Sequence, residues 1–281
     1  MKFTFRNLFI KIFVKTRDLH VSLSWGSLLV ILVMINACEI DQTSTSGSEQ
    51  MEMNEPIDHT WSVEAAFSTE GTVMSIWGAD EEAGWAESNQ WAVGGQPERG
   101  ILWRRQDEEW IEEETPDGSL LNWVHGVDGH LWVVGNDGRA LRKIDAAAGG
   151  DDQWESFDTD TEQDLWGVFA MSPNEVWAVG GDPIGSEEVD PVLTRFDGSS
   201  WQRVSLPEPD RSGVRALFKI FGDRQTGAVF AVGMKGVMYG DIGHGWVQLP
   251  VRSINDQPPS VEDFVSLWGQ NNELVAVGGR S

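Results

Sequence analysis

Carboxylates are the most abundant chemically active side chains in this sequence, and one segment spaces them regularly. Asp158, Asp160, Glu162 and Asp164 alternate with single polar residues. Oxygen ligands at alternate positions can wrap one hard cation, so the segment is a calcium candidate, and no other cofactor is expected. Gln163 stands where such loops need glycine, and the alternative interpretation is a solvated acidic loop.

The remaining acid–base side chains form no catalytic constellation that the sequence identifies. His125 falls at a position that holds an aromatic residue in neighbouring repeats, which favours a structural histidine. Tyr239, the only tyrosine, falls on a predicted third strand away from the centre of the fold. A retaining sialidase needs a tyrosine nucleophile, so that class is disfavoured. Whether the chain is an enzyme stays open, with a non-enzymatic role favoured.

The only cysteine, Cys38, follows the organisation of an export signal. Basic residues precede the apolar run Val21–Ala37, which is the order of an n-region and an h-region. The four residues that end at Cys38, Ile-Asn-Ala-Cys, resemble the lipobox of bacterial lipoproteins. That resemblance implies export, lipid attachment at Cys38 and membrane anchoring, and Glu39 implies the outer membrane or cell surface rather than the inner membrane.

Two other interpretations of residues 1–37 stay open. An uncleaved anchor helix of seventeen apolar residues would span about 25 Å, against about 30 Å for a bilayer core. Ordinary cleavage would leave Cys38 as a free thiol. Residues 38–60 are polar and lack apolar periodicity, which is typical of a tether. The predicted organisation is therefore a signal peptide at 1–37, a flexible tether at 38–60 and a folded domain at 61–281.

The charge of the chain limits its partners. The whole sequence has 20 basic and 45 acidic residues, and residues 38–281 keep 15 and 44 of them. Such a surface repels phosphate backbones and anionic headgroups, so nucleic acid is excluded as a partner and membrane contact is assigned to the lipid anchor. Acidity also keeps a protein soluble, which is the simpler explanation of the charge.

Three sequence anchors recur in the same order along residues 61–281. The clearest is a segment of the type VWAVG, whose last valine recurs at spacings of 41, 45, 53 and 45 residues. Those valines are Val93, Val134, Val179, Val232 and Val277. A WG-like segment precedes each of them, and a tryptophan that opens a further strand follows four of them. Such a period is typical of a repeat architecture.

Each repeat divides into four short strands rich in β-branched and aromatic residues, and no helical period follows residue 60. Four-stranded units of this length predict an all-β fold, a β-propeller of about five blades. The last unit contains only two strands, so the last blade is incomplete. Trp61 lies in a segment that matches the fourth strand of a unit, and we expect it to close the ring.

The repeats resemble secreted bacterial propellers with WG…VWAVG…DGxxW units, similar to kelch and BNR-type proteins. The resemblance covers Trp61 to Gly279, and it implies the propeller fold without fixing a function. Asp197 and Gly198 are adjacent before Trp201, unlike the spacing of a sialidase Asp-box. Galactose oxidases of the kelch group need a cysteine cross-linked to a tyrosine, and the one cysteine here lies in the signal segment.

These observations predict a lipid-anchored binding protein for a protein or glycan at the bacterial cell envelope. The alternatives are a carbohydrate-active hydrolase or lyase with its site in the central channel, or a truncated propeller without independent activity. The long loops Gly181–Pro191, Pro207–Gly213 and Val251–Glu262 are predicted on one face, where a partner docks. Most tryptophans are predicted in the core, whereas Trp85 and Trp103 break the pattern and are candidates for exposed contacts.

Overall fold

Strands account for almost all the regular structure of the residues that the structure describes. The structure is a computed structural model, and it describes residues 9–14, 71–78, 90–106, 109–144, 154–185, 189–251, 262–270 and 273–279. Within these ranges the one helical element is a single 3₁₀ turn, Met234–Gly236. The all-β prediction is therefore confirmed.

Four sheets have the same construction, with four sequential antiparallel strands each. Sheet 1 contains β2 (Thr72–Gly78), β3 (Gln90–Gln96), β4 (Arg99–Gln106) and β5 (Glu109–Glu113). Sheet 2 contains β6 (Leu121–Val127), β7 (His130–Gly135), β8 (Ala140–Lys143) and β9 (Trp154–Phe157). Sheet 3 contains β10 (Leu165–Ser172), β11 (Glu175–Gly180), β12 (Val192–Phe196) and β13 (Trp201–Arg203). Sheet 4 contains β14 (Leu217–Asp223), β15 (Ala228–Gly233), β16 (Met238–Asp241) and β17 (Val247–Gln248).

Sheet 5 is built differently, from β18 (Asp263–Gln270), β19 (Glu273–Gly279) and an N-terminal strand. That strand, β1 (Phe9–Val14), pairs in parallel with β19, from Phe9 opposite Glu273 to Val14 opposite Gly278. It lies within the residues that the sequence predicts to be an export signal. The segment around Trp61, which the sequence predicts to close the last blade, lies outside the described residues.

The tight turns between strands have the backbone geometry that aspartate and glycine allow. Asp137 and Gly138, between β7 and β8, have φ of 57° and 66°, which suits a tight hairpin. In the DGxxW turn of sheet 3, the Asp197 carboxylate accepts hydrogen bonds from the backbone N–H groups of Ser199 and Ser200 at 2.9 and 3.0 Å. These bonds lower the pKa of Asp197 to about 2, so the carboxylate stays ionised and holds the turn.

The first strand of every sheet contains one register shift near its start, where an extra residue interrupts the pairing. The interrupting residues are Met74, Asn122, Trp166, Phe218 and Val265. A bulge repeated at the same position five times shows that the sheets are equivalent units. Its local kink also re-aims the residue that follows it.

Successive sheets pack through their first strands, by fitting a ring of one sheet against a glycine of the next. A Cβ on Gly126 of sheet 2 would overlap the ring of Trp77 of sheet 1. The same relation holds between Phe169 of sheet 3 and Gly222 of sheet 4, where a Cβ would lie 2.9 Å from Cε1. It recurs at Gly269 of sheet 5, 2.7 Å from Cε1 of Phe221.

The junction between sheets 2 and 3 uses a smaller ring and a larger partner. His125 takes the aromatic position, and Ala170 takes the glycine position. The His125 ring lies 4.3 Å from the Phe169 ring, centroid to centroid, and its Nδ1 accepts a hydrogen bond from the Ala170 N–H at 3.2 Å. Because imidazole is smaller than indole, it leaves room for the alanine methyl group.

Within the described residues, the aromatic ring of sheet 5 and the glycine of sheet 1 take part in no such junction. Trp268, which holds the aromatic position of sheet 5, is 54% exposed. A Cβ on Gly78, the corresponding glycine of sheet 1, would meet only the side chain of Gln90. The fit of a ring against a small residue is thus present at four junctions of the described chain, three with glycine and one with alanine, and one ring and one glycine are left over.

The core lies between the sheets and depends on the VWAVG segments. Trp91, Trp132 and Trp177, on the second strands, are 0, 0 and 7% exposed. In each case an arginine on the neighbouring third strand lies over the indole, for example Arg142 at 5.3 Å from the Trp132 ring. The prediction that the repeat tryptophans form the core therefore holds for Trp91, Trp132, Trp177 and Trp201, whereas Trp268 is exposed.

We predict that Gly126→Ala destabilises the fold by about 1–3 kcal/mol, because its methyl group would overlap the Trp77 ring in a packed junction. Gly279→Ala is the matched control, since no atom lies within 4 Å of a Cβ at that position. Chemical denaturation of both variants gives the free energy of unfolding. Equal stability of the two variants would contradict the packing described for this junction.

Candidate functional site

One charged side chain stands among apolar and small ones at the repeated bulge. The residue that follows the bulge is Lys219 in sheet 4, and in the other sheets it is Ser75, Trp123, Gly167 or Ser266. Lys219 pairs with Val232 on the second strand of its sheet, whereas the extra residue before it, Phe218, interrupts the pairing. We therefore take Lys219 as the starting point of the candidate site.

Lys219 reaches across sheet 3 to sheet 2. Gly167, on the strand between them, lacks the side chain that would obstruct this path, since a Cβ there would lie 3.3 Å from the Lys219 Cα. The Lys219 Nζ lies 3.3 Å from the centroid of the Trp123 ring and donates a hydrogen bond to the Trp166 carbonyl at 3.2 Å. One lysine therefore contacts the first strands of both preceding sheets.

The electrostatics of Lys219 are unusual for a lysine. Desolvation lowers its pKa from 10.5 to about 7, because burial penalises the ammonium ion. The Trp123 ring face and the Trp166 carbonyl oppose this effect, since both favour a cation. Among the described residues no acidic side chain pairs with the Lys219 ammonium.

Solvent reaches the surroundings of Lys219 although the strand core beside it is closed. Lys219, Trp123, Trp166 and Phe218 are all partly exposed. The leucines that begin the same three strands are buried at 0% exposure, and they are Leu121, Leu165 and Leu217. Lys219 and Trp123, whose ring contacts the amine, are therefore partly open to solvent beside a closed strand core.

The site is hydrogen-bonded to the loop between β11 and β12. Trp166 Nε1 donates to the Gly181 carbonyl at 2.9 Å, and Gly181 begins the loop between β11 and β12. Arg215 donates to the carbonyls of Asp182 and Pro183, at 3.2 and 2.8 Å. The base of this loop is therefore held by side chains from sheets 3 and 4.

An exposed isoleucine projects from the same loop. The Asp182 carboxylate accepts hydrogen bonds from the N–H groups of Ile184 and Gly185, at 3.2 and 2.7 Å, and so orders a short turn. Ile184, on that turn, is 94% exposed. A large apolar side chain held in water by an ordered turn suits contact with a partner.

Hydrogen bonds also hold the second predicted loop, Pro207–Gly213. Asp210 and Gln248 exchange hydrogen bonds of 2.8 and 2.7 Å, and Arg211 donates to the Lys235 carbonyl at 2.7 Å. Gly181 pairs with Ala216, just beyond this loop, so the first two loops lie side by side as predicted. Most of Val251–Glu262 lies outside the described residues.

A second polar group lies at the opposite ends of the same first strands. Arg224, which follows β14, donates to the Ala170 carbonyl at 2.8 Å, and its guanidinium lies 5.3 Å from the Phe169 ring centroid. Burial, together with the charge of Arg224, lowers the pKa of His125 to about 3. His125 is therefore neutral near pH 7 and serves in packing, as the sequence predicted.

The carboxylates of the calcium candidate accept hydrogen bonds from backbone N–H groups. The Asp158 carboxylate accepts the Asp160 N–H at 2.9 Å, and the Asp164 carboxylate accepts the Asp137 N–H at 3.1 Å. Burial raises the pKa of Asp164, while Asp160 accepts the Arg203 N–H at 3.4 Å. In the part of the chain described, no three His, Cys, Asp or Glu side chains gather as a metal site. Calcium binding by Asp158, Asp160, Glu162 and Asp164 stays a prediction.

The prediction for Trp103 is wrong, because its side chain is 4% exposed rather than available for contact. It lies on β4 opposite Ala92, whose small side chain leaves space for the indole, and it packs in a cluster with Ile101. Tyr239 lies on a third strand, as predicted, and is buried. Cys38 and Trp85 lie outside the described residues.

Sequence reasoning missed Lys219 and Arg224. Lys219 is the one charged residue at its repeat position in the five sheets. Aligning the repeats residue by residue through the bulge would have exposed this exception.

Within the described ranges no helix is both long and apolar enough to cross a bilayer. No protein-family model matches the chain, and a search of curated proteins finds no match to it.

We predict that stability falls as the pH drops below about 6.5, the ordinary pKa of histidine. The unfolded chain then binds a proton at His125, while the folded chain resists protonation until about pH 3. Substituting His125→Phe together with Ala170→Gly recreates the ring-on-glycine contact of the other junctions. It also removes the contribution of His125 to the pH dependence of the free energy of unfolding. Urea unfolding at pH 7 and pH 5 measures it, and an unchanged pH dependence in the double variant would contradict the assignment.

Proposed function

We propose that this chain is a lipid-anchored β-propeller that binds a protein or glycan at the bacterial cell envelope. The propeller is supported by five sheets whose first strands carry the same bulge, and by four junctions at which a ring of one sheet packs on a glycine or an alanine of the next. Equivalent sheets that repeat one packing relation arrange themselves about a common axis. A fold of this kind supplies a rigid base for binding loops.

We propose further that the ring has five blades and closes. Trp268 is then the ring that packs on Gly78, which removes the one exposed aromatic residue left over from the repeated relation. If residues 1–37 are removed on export, β1 leaves with them and uncovers an edge of β19. Unpaired strand edges favour new pairing, and the segment around Trp61 is the strand we assign to that edge.

The anchor is proposed from the sequence. The lipobox-like residues before Cys38 place the lipid at that cysteine, and residues 38–60 supply a polar tether. An extended tether of this length spans up to about 70 Å, which holds the domain clear of headgroups that its negative charge repels. We assign the protein to the outer membrane or cell surface.

The observation that carries the binding proposal is the exposed Ile184 on its ordered turn. Arg215, Asp182 and the indole of Trp166 hold the base of the loop in place, so Ile184 is presented with little freedom to lose on binding. Apolar side chains presented by rigid turns serve as anchors in protein interfaces. The partner is therefore expected to offer an apolar recess at this face.

The binding proposal is tested by photo-crosslinking in intact cells. A photoreactive amino acid at position 184 should crosslink to an envelope component. When the photoreactive amino acid is placed at a neighbouring position instead, the substitution Ile184→Asp should abolish the crosslink to that component. Position 242 is the matched control, because Ile242 is also exposed, at 50%, but lies on a turn between third and fourth strands. Equal crosslinking from positions 184 and 242 would refute the proposed face.

The anchor is tested separately by feeding cells an alkyne-tagged fatty acid. The wild-type chain should become labelled and sediment with membranes, and Cys38→Ser should abolish labelling because the acceptor sulfur is lost. Mass spectrometry of the N-terminus distinguishes the alternatives, since an uncleaved anchor keeps residues 1–37. Labelling that persists in Cys38→Ser would contradict lipid attachment at this residue.

A further inference from the structure

A buried lysine amine that pairs with no acidic side chain among the described residues requires an explanation in a chain with 45 acidic and 20 basic residues. Among the described residues Lys219 has one hydrogen-bond acceptor, the Trp166 carbonyl, and one aromatic face, that of Trp123. A lysine ammonium has three N–H donors. Because one acceptor and one ring do not use all three N–H donors, the Lys219 ammonium can donate to a further acceptor. Its desolvation favours a partner with a negative charge.

The place around Lys219 is built from fixed parts. Gly167 opens the path from β14 to β6, and the Trp166 indole is held by its hydrogen bond to the Gly181 carbonyl. The partly exposed Trp123 ring lies beside the amine, and Trp166 and Phe218, also partly exposed, precede Gly167 and Lys219 on their strands. A cation with aromatic neighbours suits a ligand that has an anionic group and an apolar or sugar-like body.

We propose that Lys219 is the recognition group of a carboxylate-binding site between the first strands of sheets 2, 3 and 4. The ligand is a monocarboxylate with a ring-shaped body, such as a single uronic acid. Its carboxylate accepts the remaining Lys219 N–H, and its ring lies against the aromatic side chains. The charge of the whole chain repels polyanions, which restricts the site to ligands with a single carboxylate.

The site does not depend on the partner face proposed at Ile184. The two share the hydrogen bond between Trp166 and Gly181, but the carboxylate site uses Lys219 and the partner face uses the loop tip. Loss of one function through substitution of Lys219 or Ile184 should therefore leave the other intact.

The lysine content of the chain makes a direct test practical. After Cys38 the only lysines are Lys143, Lys219 and Lys235. Lys143 is buried against Glu113, and Lys235 lies elsewhere, with its Nζ donating to the Ser212 carbonyl at 2.9 Å. Reductive methylation of the full chain at pH 7, followed by peptide mass spectrometry, reports each amine separately.

We expect glucuronate to protect Lys219 from methylation in a saturable manner, while its methyl ester and glucose do not. Methylation of Lys235 should be the same in all three cases. Equal protection by the ester, or none by glucuronate or galacturonate at saturating concentration, would overturn the proposal.

A second measurement keeps the test independent of amine chemistry. Lys219→Met preserves the length of the side chain but removes its charge, and Lys235→Met is the control. Glucuronate binding, followed by tryptophan fluorescence, should weaken by about tenfold or more in Lys219→Met and stay unchanged in Lys235→Met. Circular dichroism verifies that both variants fold, and equal affinity in the two would overturn the assignment.

Discussion

The fit of one aromatic ring against one small residue governs how the sheets of this chain assemble. A four-stranded sheet with two apolar faces cannot bury both by itself, so each sheet needs a neighbour on either side. Gly126, Gly222 and Gly269 let the preceding ring come close enough to exclude water, and Ala170 does so for the smaller His125. The large apolar side chains behind these contacts, such as Trp132, are buried as a consequence.

The same packing explains how a lysine comes to lie beside an indole two sheets away. Close approach of the first strands brings β6, β10 and β14 together, and Gly167 leaves the space that Lys219 occupies. Arg224 makes a comparable contact at the opposite strand ends, with the Ala170 carbonyl. Lys219 on β14 and Arg224 just after it thus contact the first strands of the preceding sheets, and the first is also placed to recognise an anion.

Local patterns in the sequence were enough to predict the strands and the core. The alternation and turn residues of the VWAVG and DGxxW segments identify β11 and the turn at Asp197, because both depend on neighbouring residues. Trp103 was misjudged because its burial depends on Ala92 across the sheet. The environment of Lys219 depends on Trp123, which is 96 positions away in the chain, and on the missing side chain of Gly167, which no local period reveals.

The arrangement of all sheets about one axis is tested most directly by a distance between the two end sheets. Spin labels at Gln90 of sheet 1 and Glu273 of sheet 5, in a chain whose Cys38 is replaced by serine, report that distance through electron–electron double resonance. A second pair of labels at His130 and Glu175 reports the spacing of the adjacent sheets 2 and 3. The account predicts closely similar distances for the two pairs. A distance between Gln90 and Glu273 much longer than that between His130 and Glu175 would show that the sheets form an open array rather than a closed ring.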